Sequence, residues 1–139
     1  MATNPAAPGG KKLKVLIVED DRFLQKILLT KFEKEGFDVR GAADGEQAMQ
    51  AILAETPNLV LLDLILPKMS GFELLSEMKT NERMKSIPVI ILSNLSQEED
   101  ITRARELGAI NFLTKADISI HAVVEKVKES YAKYLSQVH

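Results

Sequence analysis

"NLVLLDLILPKMSG", residues 58–71, sets the reading of the whole chain. Asp63 stands with Leu59, Val60, Leu61 and Leu62 before it and Leu64, Ile65 and Leu66 after it. An ionised carboxylate buried without a partner costs several kcal/mol or more, so such a group gains a partner or takes up a proton. A strand that ends at Asp63 resolves the conflict. The run before it is buried, the carboxylate sits at the rim of the sheet rather than in the core, and "LILPKMSG" is the loop leaving it.

Outward from this stretch the pattern alternates. "LKVLIV" (13–18) is a short apolar run that reads as a strand and stops at "EDD". A helical pattern follows with Phe23, Leu24, Ile27, Leu28 and Phe32 on one face; it ends at "KEGF", where Gly36 suits a left-handed cap and Phe37 folds back on the last turn. "FDVRGA" (37–42) is a weaker strand. "DGEQAMQAILAE" is a helix capped by Asp44, with Gln47 three residues on. After 58–63, "SGFELLSEMK" opens with Ser70 and Glu73 in capping-box spacing, and "IPVIILS" (87–93) is a fourth strand. "SQEEDITRARELGA" repeats the box with Ser96 and Glu99, giving a helix over 97–107. "INFLT" (110–114) is the fifth strand, and Ile120, Val123, Val124, Val127, Tyr131 and Tyr134 mark the last helix.

Strands alternating with helices imply right-handed crossovers and an α/β fold with a parallel sheet covered on both faces. Both-face burial accounts for strands that are apolar throughout. The expected organisation is a disordered tail over residues 1–12, rich in Ala, Pro and Gly, followed by one domain over 13–139. Hydrophobic residues make up 45% of the chain, enough for a self-sufficient core. A net charge of −2 gives no general reason to bind nucleic acid or an anionic membrane. Zero cysteines exclude disulfides and thiolate metal sites, and two distant histidines exclude a zinc cluster. The absence of a long apolar run points to a cytoplasmic protein.

Ligands of such sheets bind beyond the strand carboxyl ends. Glu19, Asp20 and Asp21 follow the first strand, Asp63 closes the third, Ser93 closes the fourth and Lys115 follows the fifth. Crowded carboxylates repel one another until a cation or proton relieves them. A hard ion such as Mg²⁺ suits them, with one or two carboxylates, waters and a phosphate oxygen. That setting prepares Asp63 as a nucleophile toward phosphorus. Lys115 offers a cation and Ser93 a hydroxyl to phosphoryl oxygens. Taken singly, "EDD" is a helix start, Asp63 a turn former, Ser93 structural and Lys115 a solvated surface residue. Four strands ending in the parts of one reaction outweigh those separate readings.

With "VEDD", "LLDLILPKMSG", "VIILSN" and "NFLTK" in place, the chain closely resembles the receiver domain of two-component response regulators over residues 13–138. The resemblance implies a flavodoxin-like, doubly wound sheet of strand order 2-1-3-4-5. It implies Asp63 as the acceptor of a phosphoryl group from a sensor histidine kinase or a histidine phosphotransfer protein. It also implies Asp20 as a direct Mg²⁺ ligand, Glu19 as one through water, the Ile65 backbone carbonyl as a further ligand, and Asp21 as a helix start. Lys115 contacts the phosphoryl group, Ser93 moves toward it, and Phe112 moves inward behind Ser93. The face of the fourth helix, fifth strand and fifth helix then meets a downstream protein, as a monomer or a phosphorylation-dependent dimer.

Departures from the family are Ala116 in place of the usual Pro after the lysine, Ser93 for the more frequent Thr, and Phe112 for the more frequent Tyr. A cis bond before Ala116 costs about 2.5–4 kcal/mol and is not expected unless the site enforces it; Asp117 is then placed to cap the last helix. Ile65 and Leu95 lie two residues past Asp63 and Ser93, positions that by the resemblance flank the phosphoryl group; neither side chain can hold a water by hydrogen bonds, which predicts slow self-dephosphorylation. The expected protein is a stand-alone Mg²⁺-dependent switch, not an enzyme with an outside substrate. The alternatives are a phosphorylation-independent module on the same fold and an aspartyl phosphatase or phosphotransferase. The latter usually needs an acid/base carboxylate at the place of Ile65. A nucleotide-binding Rossmann domain is disfavoured, since "VEDDRF" has no glycine-rich turn.

Overall fold

A computed structural model describes residues 11–138. The expected tail over 1–12 therefore lies, for residues 1–10, outside the described residues. The elements run β1 (Lys14–Val18), α1 (Arg22–Lys34), β2 (Asp38–Ala42), α2 (Gly45–Ala54), β3 (Leu59–Leu62), α3 (Gly71–Thr80), β4 (Val89–Ser93), α4 (Glu98–Glu106), β5 (Asn111–Thr114), a 3-10 turn (Lys115–Asp117) and α5 (Ile120–Val138). The strands form one sheet in the order β2-β1-β3-β4-β5, and every pairing is parallel.

Side chains alternate across a strand, so each strand feeds two cores. Leu16, Val18, Val60, Leu62, Val89 and Ile91 face Ala48, Ile52, Leu74, Leu75 and Met78 of α2 and α3. Val15, Ile17, Leu59, Leu61, Ile90 and Leu92 face Leu28 and Phe32 of α1 and Val123, Val124 and Val127 of α5. Both faces are covered, which is why no polar alternation marks β1, β3 or β4. Each fully buried Val, Leu or Ile contributes about 1.5–3 kcal/mol, so the central strands form a firm base for whatever their ends carry.

Local signals set several boundaries. Gly36 ends α1 at φ 94°, the Gly36 N–H donates to the Glu33 carbonyl and the Phe37 N–H to the Phe32 carbonyl, and the two rings meet at 5.2 Å. This is a left-handed helix stop with its hydrophobic clasp. It also places Phe37 in the cap, so β2 begins one residue later than its apolar pattern suggests. Ser70 and Glu73 form the reciprocal box at the start of α3. Asp44 caps α2 through the Gln47 N–H, while the Gln47 side chain reaches back to the Ala43 N–H.

Two expected caps do not form. At α4 the Asp100 and Ile101 N–H groups both bond to the Gln97 carbonyl, making Gln97 the cap residue, without a side-chain bond. Ser96 is thereby left outside the helix, and its predicted box with Glu99 is absent. At α5 the Ala122 N–H donates to Ser119 Oγ at 3.1 Å. Asp117 belongs instead to the 3-10 turn, too far upstream to reach the first N–H groups of α5.

Candidate functional site

The register decides which residues meet. Val18 pairs with Leu62 at the ends of β1 and β3, so the next residues, Glu19 and Asp63, lie side by side. Their backbones stay tied to the sheet, the Glu19 N–H to the Ala42 carbonyl at 2.9 Å and the Asp63 N–H to the Val18 carbonyl at 3.0 Å. Ser93 closes β4 opposite Thr114 of β5, which brings Lys115 over the same rim.

The two oxygens of Asp63 are held separately. Ser93 Oγ donates to Oδ1 at 2.7 Å, and Lys115 Nζ donates to Oδ2 at 2.7 Å. The Ile65 N–H adds a bond to Oδ1 at 3.1 Å. Asp63 is 4% exposed and Ser93 0%. The carboxylate is thus at the strand end as expected, yet it is buried, a correction to the reading of it as a rim group outside the core. Burial is tolerated because charged and neutral donors satisfy it. Ser93 already touches Asp63 itself, so any movement of its hydroxyl toward a phosphoryl group starts from that contact.

Lys115 Nζ also lies 2.6 Å from Glu19 Oε1, and Glu19 Oε2 accepts the Asp21 N–H at 3.0 Å. Burial raises the Glu19 carboxyl above its ordinary range, the Asp63 charge adds to this, and the bonds from Lys115 and Asp21 offset only part of it. For Lys115, burial works against the charge, but the hydrogen bonds and charges of Asp63 and Glu19 outweigh it and hold the ammonium above its usual range. Asp20 is exposed at the mouth. Glu19, Asp20 and Asp63 each offer an oxygen within 4.8 Å of the others. Three carboxylates gather here around one ammonium, that of Lys115. A cluster of hard carboxylate oxygens in excess of the nearby cations fits a divalent cation such as Mg²⁺.

The remaining expected residues fall around this centre. Asp21 caps α1 by accepting the Phe23 and Leu24 N–H groups and is not one of the clustered carboxylates. The Ile65 side chain is 54% exposed beside the site. Phe112 is half-buried on β5 and, with Ile101, Arg105 and Ala109, lines a cleft of about 50 Å³ under α4. The Lys115–Ala116 peptide is trans. Sequence reasoning missed Gln25, whose Nε2 donates to the Glu19 and Ala42 carbonyls and ties α1 to the rim, and Asn94, whose Oδ1 accepts the Ala116 N–H. Neither has a spacing signal, since many polar side chains can meet a backbone group.

A family model described as the response regulator receiver domain matches residues 15–128. The chain is 37% identical over 105 residues to a Porphyridium aerugineum protein named "Probable transcriptional regulator ycf27", a match covering 76% of this chain and 42% of that protein. It is 33% identical over 121 residues to the gliding motility regulatory protein of Myxococcus xanthus, covering 87% of this chain and 16% of that one. The chain thus spans less than half the length of either curated relative. Among solved structures, the receiver domain of the Francisella response regulator 1452 superposes with a TM-score of 0.80 at 30% identity, covering 88% of this chain and 98% of that one. A CheY-like receiver domain protein from Methanospirillum hungatei JF-1 gives 0.83 at 26% identity, covering 91% and 99%. Among the described residues no helix is long and apolar enough to cross a membrane. With its rim carboxylates, hydroxyl and ammonium gathered on a 2-1-3-4-5 parallel sheet, the chain belongs to the response regulator receiver domain family.

Proposed function

We propose that residues 13–139 form a Mg²⁺-dependent phosphoacceptor switch whose acceptor is Asp63. The observation that carries this reading is the separate grip on the two Asp63 oxygens by Ser93 and Lys115, beside an acidic cluster. The donor is the phosphohistidine of a sensor kinase or of a histidine phosphotransfer protein. An Asp63 oxygen forms the bond to phosphorus as the phosphorus–nitrogen bond breaks, and the electron pair of that bond leaves with the imidazole. As this happens, Lys115 and Ser93 turn to the phosphoryl oxygens, where charge accumulates in the transition state.

Asp20, Asp63 and the Ile65 backbone carbonyl would hold Mg²⁺, and Glu19 would do so through water, since both of its oxygens already accept hydrogen bonds. When bound there, the ion neutralises phosphoryl charge. No carboxylate stands at position 65, so a phosphatase-type acid/base step has no support.

Output follows from α4. Ala104 is its one fully buried residue, with Ile101 and Leu107 half-buried, so the helix has little to lose by shifting. Movement of Ser93 and Phe112 remodels the face of α4, β5 and α5, where a downstream protein binds. A cytoplasmic location and a monomer or phosphorylation-dependent dimer go with this reading.

The test is incorporation of label from a small acyl-phosphate donor, with and without chelator, in the native protein, Asp20→Asn and Asp63→Asn, followed by amide exchange. Incorporation should need Mg²⁺ and both carboxylates, and exchange should change across residues 94–112. Equal labelling of Asp63→Asn, or identical exchange in 94–112, would contradict the acceptor and the output respectively.

A further inference from the structure

β4 and β5 end in register, with Ser93 beside Thr114, and the chain turns at once into the 3-10 segment Lys115–Asp117. The Asn94 side chain bridges the strands just beyond this last pair: its Oδ1 accepts the Ala116 N–H at 3.0 Å. That N–H exists because residue 116 is not proline. The neighbours of this bonded pair are the two residues that grip Asp63, Ser93 at Oδ1 and Lys115 at Oδ2. The contacts therefore close a ring through Asp63, Ser93, Asn94, Ala116 and Lys115.

Asn94 and Ala116 are both exposed. Water competes for such a bond, so it adds little to global stability. Its effect is on position. The lysine stem is flexible, and a small displacement of an ammonium from the reacting oxygens is costly to rate.

We propose that Asn94 is a positioning residue: by holding the Ala116 N–H it sets the Lys115 ammonium on Asp63 and joins the loop after Ser93 to the loop that carries Lys115. The proposal rests on Asp63 being the phosphoacceptor. Asn94 does not touch Asp63, so its removal changes the limiting rate of phosphoryl transfer more than the binding of the donor.

The experiment measures phosphorylation rate against acyl-phosphate concentration at saturating Mg²⁺, corrected for folded fraction, in the native protein, Asn94→Ala, Ala116→Pro and the double variant. Asn94→Ala should lower the limiting rate about threefold to tenfold, the span of one net hydrogen bond. The half-saturating donor concentration and the melting temperature should stay close to native. In the Ala116→Pro background, where the N–H is gone, Asn94→Ala should have no further effect. Equal limiting rates for native and Asn94→Ala would overturn the proposal, as would an equal fall in both backgrounds or a loss that vanishes on correction for folded protein. A native protein that takes no label at all would instead overturn the assignment of Asp63.

Discussion

Gly71→Ala is expected to strike the site through the backbone. A Cβ at residue 71 would lie 2.3 Å from the Asp63 carbonyl oxygen and 2.5 Å from the Leu64 Cα. Carbon atoms in good contact sit about 3.5–4.0 Å apart, so the β3–α3 loop would have to retreat by roughly 1 Å. The obstructing atoms are main chain, and no side chain can swing aside. The Gly71 N–H also bonds to the Leu64 carbonyl at 3.0 Å, which ties the start of α3 to the segment carrying Asp63. Overpacking costs about 1–3 kcal/mol, and this contact belongs at the upper end. At roughly 4 °C per kcal/mol for a chain of this size, the melting temperature should fall by about 12 °C. A displacement of Asp63 on the order of 1 Å should lower phosphorylation about 100-fold at a temperature where the variant is still folded. Circular dichroism melts and labelling from an acyl phosphate measure the two effects. Gly41→Ala is the comparison, since its Cβ would meet only the end of the Gln25 side chain at 2.9 Å, and that amide can yield at the expense of its bonds to the Glu19 and Ala42 carbonyls without any main-chain shift. A Gly71→Ala protein that melts within about 2 °C of native and labels fully would refute the close approach of α3 to Asp63.

Ser70→Ala removes the cap from the Glu73 N–H and should cost about 1 kcal/mol in thermal or denaturant unfolding, with labelling of the folded protein unchanged. The Glu35 carboxyl lies below its ordinary range chiefly because Lys128 donates a hydrogen bond to it. A lowered carboxylate pKa stabilises the fold above the unfolded-state value and loses that effect as pH falls through the folded one. The stability deficit of Glu35→Gln should therefore be present at pH 7 and shrink below about pH 4.3; a deficit constant with pH would contradict the pairing. Ile65→Asn puts an amide able to orient water at an exposed position beside Asp63, and it should shorten the phosphoryl lifetime measured by loss of label. An unchanged lifetime would remove Ile65 from the account.

The sheet was legible because both its faces are covered. Leu59 to Leu62 and Val89 to Leu92 are apolar throughout, and their shortness sets them apart from helices. The position of the clustered polar groups was legible for a related reason: a strand that must be apolar along its length can carry a polar group only at its end, and Glu19, Asp63 and Ser93 each sit there. What did not show was who meets whom. The pairing of Lys115 with both Glu19 and Asp63 depends on register between strands far apart in sequence. The burial of Asp63 depends on those same donors. Caps were legible where the local motif had no competitor, as at Ser70 and Gly36. They were misplaced at Ser96 and Asp117, where Gln97 takes the cap position of α4 and a 3-10 turn precedes a later start of α5. Asn94 and Gln25 act on backbone groups, and a side chain that meets a backbone group leaves no pattern in residue type.

The most direct test of the central claim locates the phosphoryl group. The native protein is loaded from an acyl phosphate in Mg²⁺, digested rapidly at low temperature, and the peptides spanning Asp63, Ser70 and Ser93 are fragmented by tandem mass spectrometry. One phosphoryl group on Asp63, absent with chelator and absent in Asp63→Asn, is the predicted result. A phosphoryl group on either serine, or an unmodified Asp63 in a protein that has gained the mass, would contradict the account.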